Sequence, residues 1–274
     1  MKDALKETIE INKKQRDFYN TPSKKKNAAT KLWSKIRNGV LSGFRNQFNI
    51  KQKVYNKHKE WLEGIENYKV LDLGCLYGNH HTMYMAENAK SYIGIDLSDK
   101  AINSLEQRLR DKGFKNAKAL AVDFLSDEFD EEAFDLIYAY GVMHHFADFD
   151  MLLDRIDQKL KPGGKIILYD PLQTSFPIKV MRMLYRPFQS DKDWEWPFTK
   201  KTFKKLYDRY DVLATHGILG ASKWGLLLKI VPASKGWKQR QIKSLVDKDW
   251  NIEEQNELYK CMHVTMHLQR KTTV

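Results

Sequence analysis

From residue 68 onward, short apolar runs alternate with amphipathic stretches. Runs at 69–73, 91–96, 119–122, 134–140 and 165–169 have strand length. Between them, 80–88, 100–112 and 151–161 place apolar residues at helical spacing, with Ile102, Leu105 and Leu109 on one face and Leu152, Leu153, Ile156 and Leu160 on another. This alternation predicts a parallel sheet with helices on both faces. Beyond Asp170 the pattern loosens and Pro171, Pro177, Pro187 and Pro197 punctuate it. A helix is expected over 200–207, a strand over 212–219, a largely helical stretch over 221–255 and a last strand within 258–269. Upstream, Leu32, Trp33, Ile36, Val40, Leu41 and Phe44 recur at helical spacing, an apolar face that needs a partner. The organisation expected is a helical N-terminal cap over 1–66 and one α/β unit over 67–274, with insertions at 171–199 and 221–258.

Composition narrows the picture. Hydrophobic residues make up 42% of the 274, enough for a full core, which excludes a disordered chain. The formal net charge of +12 attracts nucleic acid, acidic lipid headgroups and phosphorylated or carboxylated substrates alike, so charge alone does not choose a partner. Two cysteines, Cys75 and Cys261, make no disulfide framework, which fits a reducing, cytoplasmic setting. The first residues are charged and lack a signal-peptide core. No apolar run reaches the roughly 20 residues of a membrane span. The apolar stretch 224–231 is short and carries Lys229, which suits a lid helix better than contact with a membrane surface.

Candidate chemistry gathers at the strand ends. Val70-Leu71-Asp72-Leu73-Gly74-Cys75-Leu76-Tyr77-Gly78-Asn79 is a buried strand running into a glycine-bearing turn and then a helix. Glycine permits positive φ and close approach of a ligand, and open α/β sheets bind ligands at this edge. Asp96 ends the second strand, about 20 residues after the turn, where a carboxylate accepts ribose hydroxyls. Asp123 and Phe124 end the third strand, an acid for an adenine amino group and a ring to stack on it. Lys161-Pro162-Gly163-Gly164 makes a tight turn into the fifth strand. One Asp at a strand end is commonly a helix N-cap; this set at successive strand ends is not.

These residues resemble the class I S-adenosylmethionine-dependent methyltransferases, especially those acting on small molecules. The resemblance covers 68–170 through its motifs, and 200–270 through strand pattern only. It implies a doubly wound, mostly parallel seven-stranded Rossmann-like sheet with added N-terminal helices and helical lid insertions. It implies S-adenosyl-L-methionine as cofactor, with Asp72, Gly74, Cys75 and Gly78 at its methionine end, Asp96, Leu97 and Ser98 at the ribose, Asp123 and Phe124 at the adenine, and Tyr140 and Gly141 near the sulfonium. One position departs from the family: its third glycine is Leu76 here. A dehydrogenase is disfavoured, because the Gly-x-Gly-x-x-Gly spacing is absent after the first strand.

Val142-Met143-His144-His145-Phe146 follows the fourth strand and resembles the Glu-His-Phe of fatty-acid cyclopropane synthases and the paired histidines of quinone-type methyltransferases. Histidine suits proton removal near neutrality. His144 is therefore the candidate base and His145 the candidate brace of the loop. His80, His81, His144 and His145 lie on regular elements pointing apart, so no metal site is expected. The expected acceptor is a small molecule, anionic or amphipathic, methylated on oxygen, with nitrogen and carbon as alternatives. Tyr19, Tyr169, Arg182 and Arg186 are candidate contacts for it, with ordinary packing the alternative for each. The Asn/Asp-Pro-Pro-aromatic motif of base-modifying relatives is replaced by Ala139-Tyr140-Gly141-Val142, which disfavours nucleic acid. Intramolecular cyclisation of the cofactor, another alkyl transfer, and a non-catalytic partner role are rival readings. A homodimer is compatible with the sequence.

Overall fold

A computed structural model describes residues 2–21, 31, 35, 46–189, 192–252 and 254–272. Its strands are β1 (Lys69–Leu73), β2 (Ser91–Asp96), β3 (Ala117–Ala121), β4 (Phe134–Tyr140), β5 (Leu160–Pro171), β6 (Tyr210–Ile218) and β7 (His263–Arg270). They form one seven-stranded sheet in the order β3-β2-β1-β4-β5-β7-β6. The first five pair in parallel, and β7 runs antiparallel to both β5 and β6. Strand order reverses between β1 and β4, and a ligand crevice opens at the carboxyl edge of such a switch point. This is the mostly parallel, doubly wound sheet that the alternating pattern predicts.

The described helices are α1 (Lys2–Asn20), α2 (Ile50–Trp61), α3 (Thr82–Asn88), α4 (Asp99–Asp111), α5 (Phe149–Lys159), α6 (Phe176–Tyr185), α7 (Lys200–Arg209), α8 (Lys235–Trp250) and α9 (Gln255–Leu258). Strand periodicity sends alternate side chains to opposite faces. Leu71 and Leu73 of β1, Ile137 of β4 and Ile166 and Leu168 of β5 pack with Leu152, Leu153 and Ile156 of α5 and Phe203 of α7. On the other face Val70, Leu136, Tyr138 and Ile167 pack with Met85 of α3 and Ile102, Leu105 and Leu109 of α4. Each of these buried aliphatic side chains contributes about 1.5–3 kcal/mol.

Two boundaries differ from expectation. β5 begins at Leu160, so the Lys161–Gly164 turn is the irregular entry of the strand; Gly163 takes φ +72 there, and the β4–β5 register shifts between Phe134 and Leu136. β3 stops at Ala121 because Asp123 Oδ1 accepts the Leu125 amide and turns the chain. Residues 221–230 form a 3-10 helix rather than an α-helix. The expected apolar face of Leu32, Trp33, Ile36, Val40, Leu41 and Phe44 lies outside the described residues. Among the described residues no helix is long and apolar enough to cross a membrane.

α2 sits on the sheet through a buried histidine. His58 is fully buried, with Nδ1 2.8 Å from the Tyr138 hydroxyl and Nε2 2.6 Å from the Thr265 hydroxyl. Burial pushes its pKa down to about 3, and likewise lowers His81 and His267 to about 4. The unfolded chain therefore binds more protons than the folded one between about pH 4 and 6.5, and this stabilisation is lost as pH falls through that window. Each group contributes up to about 1.4 kcal/mol per pH unit there. The buried acids Asp72 and Asp170, with raised pKa values, titrate in the opposite sense. The difference between the native chain and His58→Gln isolates the histidine: melting temperature followed from pH 7 to pH 5 falls more steeply in the native chain than in the variant.

Candidate functional site

β1 delivers its turn directly against the turn after β4. Gly74 takes φ +69, and a Cβ built on it would lie 2.4 Å from Val142 Cγ2, so only glycine fits. The Gly74 and Cys75 amides both donate to the Ile95 carbonyl, at 2.9 and 3.1 Å, which fastens the turn to β2. Leu76, standing where the family has its third glycine, takes φ +49, the backbone conformation a glycine would supply. A side chain there costs about 1–2 kcal/mol. The Leu76 amide donates to Asp96 Oδ2 at 3.1 Å, a charge-assisted bond that offsets part of the cost.

Asp72 lies beneath the turn and is fully buried. It accepts both Asn79 Nδ2 contacts at 2.8 and 2.9 Å, the Thr82 hydroxyl at 2.8 Å and the Tyr92 hydroxyl at 2.9 Å. Burial pushes its pKa up to about 7 against the pull of these donors. Its carboxylate ties the turn to α3 and β2, and Asp72 does not border the cavity above the turn.

A cavity of about 290 Å³ opens above the turn. It gathers Gly74, Cys75, Gly78, Asp96, Leu97, Asp123, Phe124, Tyr140, Gly141, His145 and Tyr19, eleven of the residues the sequence singles out. Gly141 takes φ +69, and a Cβ built on it meets nothing within 4 Å, so the wall is open where a ligand passes the backbone. Asp96 is pushed upward in pKa by burial, while the amides of Ser98, Leu76 and Leu97 hold it down. The structure does not bring the remaining candidates to this cavity. Ser98 is buried and caps α4 by accepting the Ala101 amide. Tyr169 stacks on Tyr140 with centroids 4.7 Å apart. Arg182 donates to the Leu172 carbonyl and Arg186 to the Lys192 carbonyl, and both line a separate hollow beside α6. α6 carries Arg182, and the 3-10 turn Arg186–Phe188 after it carries Arg186, into that hollow.

Of the α1 wall, sequence reasoning named Tyr19 within an expected N-terminal cap and missed Asn12 and Gln15. Asn12, Gln15 and Tyr19 share one face of α1 and line the cavity. Asn12 Nδ2 donates to Asp123 Oδ2 at 2.6 Å, and Gln15 Nε2 to the His145 carbonyl at 3.2 Å. Arg16 pairs with Asp99, and Asn20 Oδ1 accepts the Ser98 hydroxyl. The available signal was a face of neutral amides at i, i+3 within a lysine- and glutamate-rich helix.

The two histidines after β4 sit in a 3-10 turn, Met143–His145. His144 Nδ1 lies 2.7 Å from Asp170 Oδ1, which also accepts the His144 amide at 3.2 Å. With Oδ1 accepting, Nδ1 carries the shared proton and Nε2 is the basic nitrogen. Asp170 is fully buried, and its other oxygen has no hydrogen-bond partner among the described residues. His145 Nδ1 donates to the Trp194 carbonyl at 2.7 Å, and its ring lies 4.1 Å from that of His144. His145, not His144, borders the cavity. Among the described residues no group of three His, Cys, Asp or Glu side chains could hold a metal ion.

Residues 65–222, more than half of the chain, match a family described as Methyltransferase domain. The chain belongs to this family. It is a class I S-adenosylmethionine-dependent methyltransferase by family, and its sheet is the Rossmann-like one. The phosphoethanolamine N-methyltransferase 3 of Arabidopsis thaliana is 38% identical over 118 residues, 41% of this chain and 23% of that protein. The sterol 4-C-methyltransferase strm-1 of Caenorhabditis elegans is 28% identical over 117 residues, 42% of this chain and 35% of that protein. The matched part thus spans well under half the length of these curated relatives. The crystal structure of the YcgJ protein from Bacillus subtilis has the same fold, with a TM-score of 0.55 at 16% identity, covering 81% of this chain and all of that one. S-adenosylmethionine is the cofactor, and the cavity suits it: glycine backbone at both turns, acids at the ends of β2 and β3, and an open wall at Gly141.

Asp72→Asn turns an acceptor into a donor facing the Thr82 and Tyr92 hydroxyls. Stability is expected to fall by about 1–3 kcal/mol, and S-adenosylmethionine affinity, measured by calorimetric titration, to fall with it although residue 72 does not border the cavity. Unchanged affinity would show that the turn holds its shape without the buried carboxylate.

Proposed function

We propose that the chain transfers a methyl group from S-adenosylmethionine to a small-molecule acceptor, on oxygen, by in-line displacement. The observation that carries this reading is the buried His144–Asp170 pair, three residues after Gly141 and next to His145 of the cavity wall. When bound, S-adenosylmethionine supplies a methyl group activated by its sulfonium. Gly74 and Gly141 let backbone approach it, Asp96 accepts the ribose hydroxyls, and Asp123 and Phe124 flank the adenine. Asn12, Gln15 and Tyr19 close the side of the cavity and keep water out, which matters because the protein's main task is to align two reactants in a dry site.

His144 takes the acceptor proton on Nε2. Asp170 holds the ring in the tautomer that leaves Nε2 basic and stabilises the imidazolium that forms. His145, held by the Trp194 carbonyl, braces the turn beside the acceptor. An anionic or amphipathic acceptor matches the net charge of +12. The named substrates of the two curated relatives, phosphoethanolamine and a sterol, are small molecules of those two kinds.

Incubation with methyl-labelled cofactor and candidate acceptors is expected to yield S-adenosylhomocysteine and a methylated product in equal amounts. His144→Ala is expected to lower kcat by about 10²- to 10⁴-fold with little change in cofactor affinity. Asp170→Asn should shift the acid limb of the kcat profile. Full turnover in His144→Ala would remove the base from the mechanism, and release of methylthioadenosine would replace methylation by cyclisation of the cofactor.

A further inference from the structure

α6 follows β5 and the Ala221–Ile230 3-10 helix follows β6, and β5 and β6 run the same way across β7. Both insertions therefore leave the sheet at the carboxyl edge, where the cofactor cavity opens. Their inner sides share one apolar cluster, in which Ile178 of α6 meets Ile218, Leu219, Ile242, Val246 and Trp250, with Leu228 packed against it. Their outer sides are also apolar. On α6, Phe176, Met183 and Leu184 stand at i, i+7 and i+8, one helical face, and each is more than half exposed. On the 3-10 helix, Trp224, Leu227 and Ile230 recur every three residues, the spacing that eclipses side chains at three residues per turn, and each is again more than half exposed. The two stripes adjoin: a single hollow is lined by Ser175 and Pro177 at the start of α6 and by Lys223 and Trp224 of the 3-10 helix. Single exposed apolar residues need no explanation, but adjoining stripes of this size do.

Charge decides what covers them. Residues 221–246 contain Lys223, Lys229, Lys235, Lys238, Arg240 and Lys243 and no acidic residue, and residues 176–188 contain Lys179, Arg182 and Arg186 and no acidic residue. Lys179, Lys235, Arg240 and Lys243 are exposed. Arg182 and Arg186 donate to neutral carbonyls, and Glu195 lines the same hollow. The hollow between the stripes carries Asp249, Glu254 and Glu257 beside Lys223, Lys248 and Lys260, but the segments that bear the stripes are basic, so a second copy of the same face would be repelled. An acidic lipid surface complements it in both respects, with apolar side chains and a tryptophan at headgroup depth and lysines against the phosphates.

We propose that this face docks the protein on an anionic lipid bilayer, with the Trp224–Leu227–Ile230 stripe and the Phe176–Met183–Leu184 stripe entering the headgroup region. The carboxyl edge of the sheet then faces the bilayer. The docking is independent of which acceptor is methylated.

The test uses the full chain and extruded vesicles of phosphatidylcholine, with and without phosphatidylglycerol. The chain is expected to sediment with the anionic vesicles, weakly with phosphatidylcholine alone, less at high salt, and with a blue-shifted tryptophan emission on binding. Leu227→Glu with Ile230→Glu is expected to weaken binding at least about ten-fold, and Phe176→Glu to weaken it separately. Circular dichroism and melting temperature should stay unchanged, because these side chains are exposed and outside the cofactor cavity. Absence of sedimentation with anionic vesicles, or equal sedimentation of the native chain and the folded variants, would overturn the proposal. So would a concentration-dependent dimer in ultracentrifugation that Leu227→Glu dissolves, which would assign the face to a second copy.

Discussion

The turns after β1 and β4 meet so closely that a single added Cβ on Gly74 would strike Val142. That contact fixes where the cofactor loop stands relative to the Met143–His145 turn, which begins at the next residue. It holds because each side is anchored from behind. The β1 turn is tied to β2 by two amides on the Ile95 carbonyl, and from below by the buried Asp72 carboxylate. The β4 turn is tied to β5 through Asp170 and to the 194–196 segment through the carbonyls of His144 and Trp194. Close packing of this kind transmits displacement rather than absorbing it, so a shift in either anchor moves both turns.

The buried polar groups are the expensive part of the arrangement. Asp72 and Asp170 are both fully buried, yet they differ in use. Asp72 is saturated with donors and serves shape. Asp170 shares one oxygen between a backbone amide and a histidine ring and leaves the other without a partner among the described residues. An under-satisfied buried carboxylate is costly in a purely structural role, and the proposed proton-accepting role of His144 is one that such a group would serve.

Much of the sheet was legible because strands buried on both faces read as short apolar runs and their helices as amphipathic repeats. β4 and β1 fall where the periodicity puts them; β3 and β5 slip because Asp123 and Gly163 bend backbone that apolar content alone cannot see. The cavity residues on the sheet were legible for the same reason, since they are strand ends. Asn12 and Gln15 were not, because their role depends on a packing partner, Asp123, 111 residues away in the case of Asn12. The direction of the Asp72 side chain was not legible from its position in the motif; in the strand, alternation sends it to the face opposite Leu71 and Leu73, toward Thr82 and Tyr92. Ser98 was misread as a contact because an N-cap and a ligand contact ask for the same residue type.

α1 gives the cavity a wall that comes from the far end of the chain. A helix of 19 residues with few apolar side chains is marginal by itself in water, and among the contacts that hold it are two to residues that line the cavity, Asn12 on Asp123 and Gln15 on the His145 carbonyl. Any coupling between filling the cavity and docking α1 is reciprocal: a ligand that favours the docked helix is favoured by it to the same extent. The amino terminus becomes a gauge of occupancy, readable by protease resistance or by a fluorophore attached there, and an affinity tag fused at that end would weigh directly on the site it seems remote from.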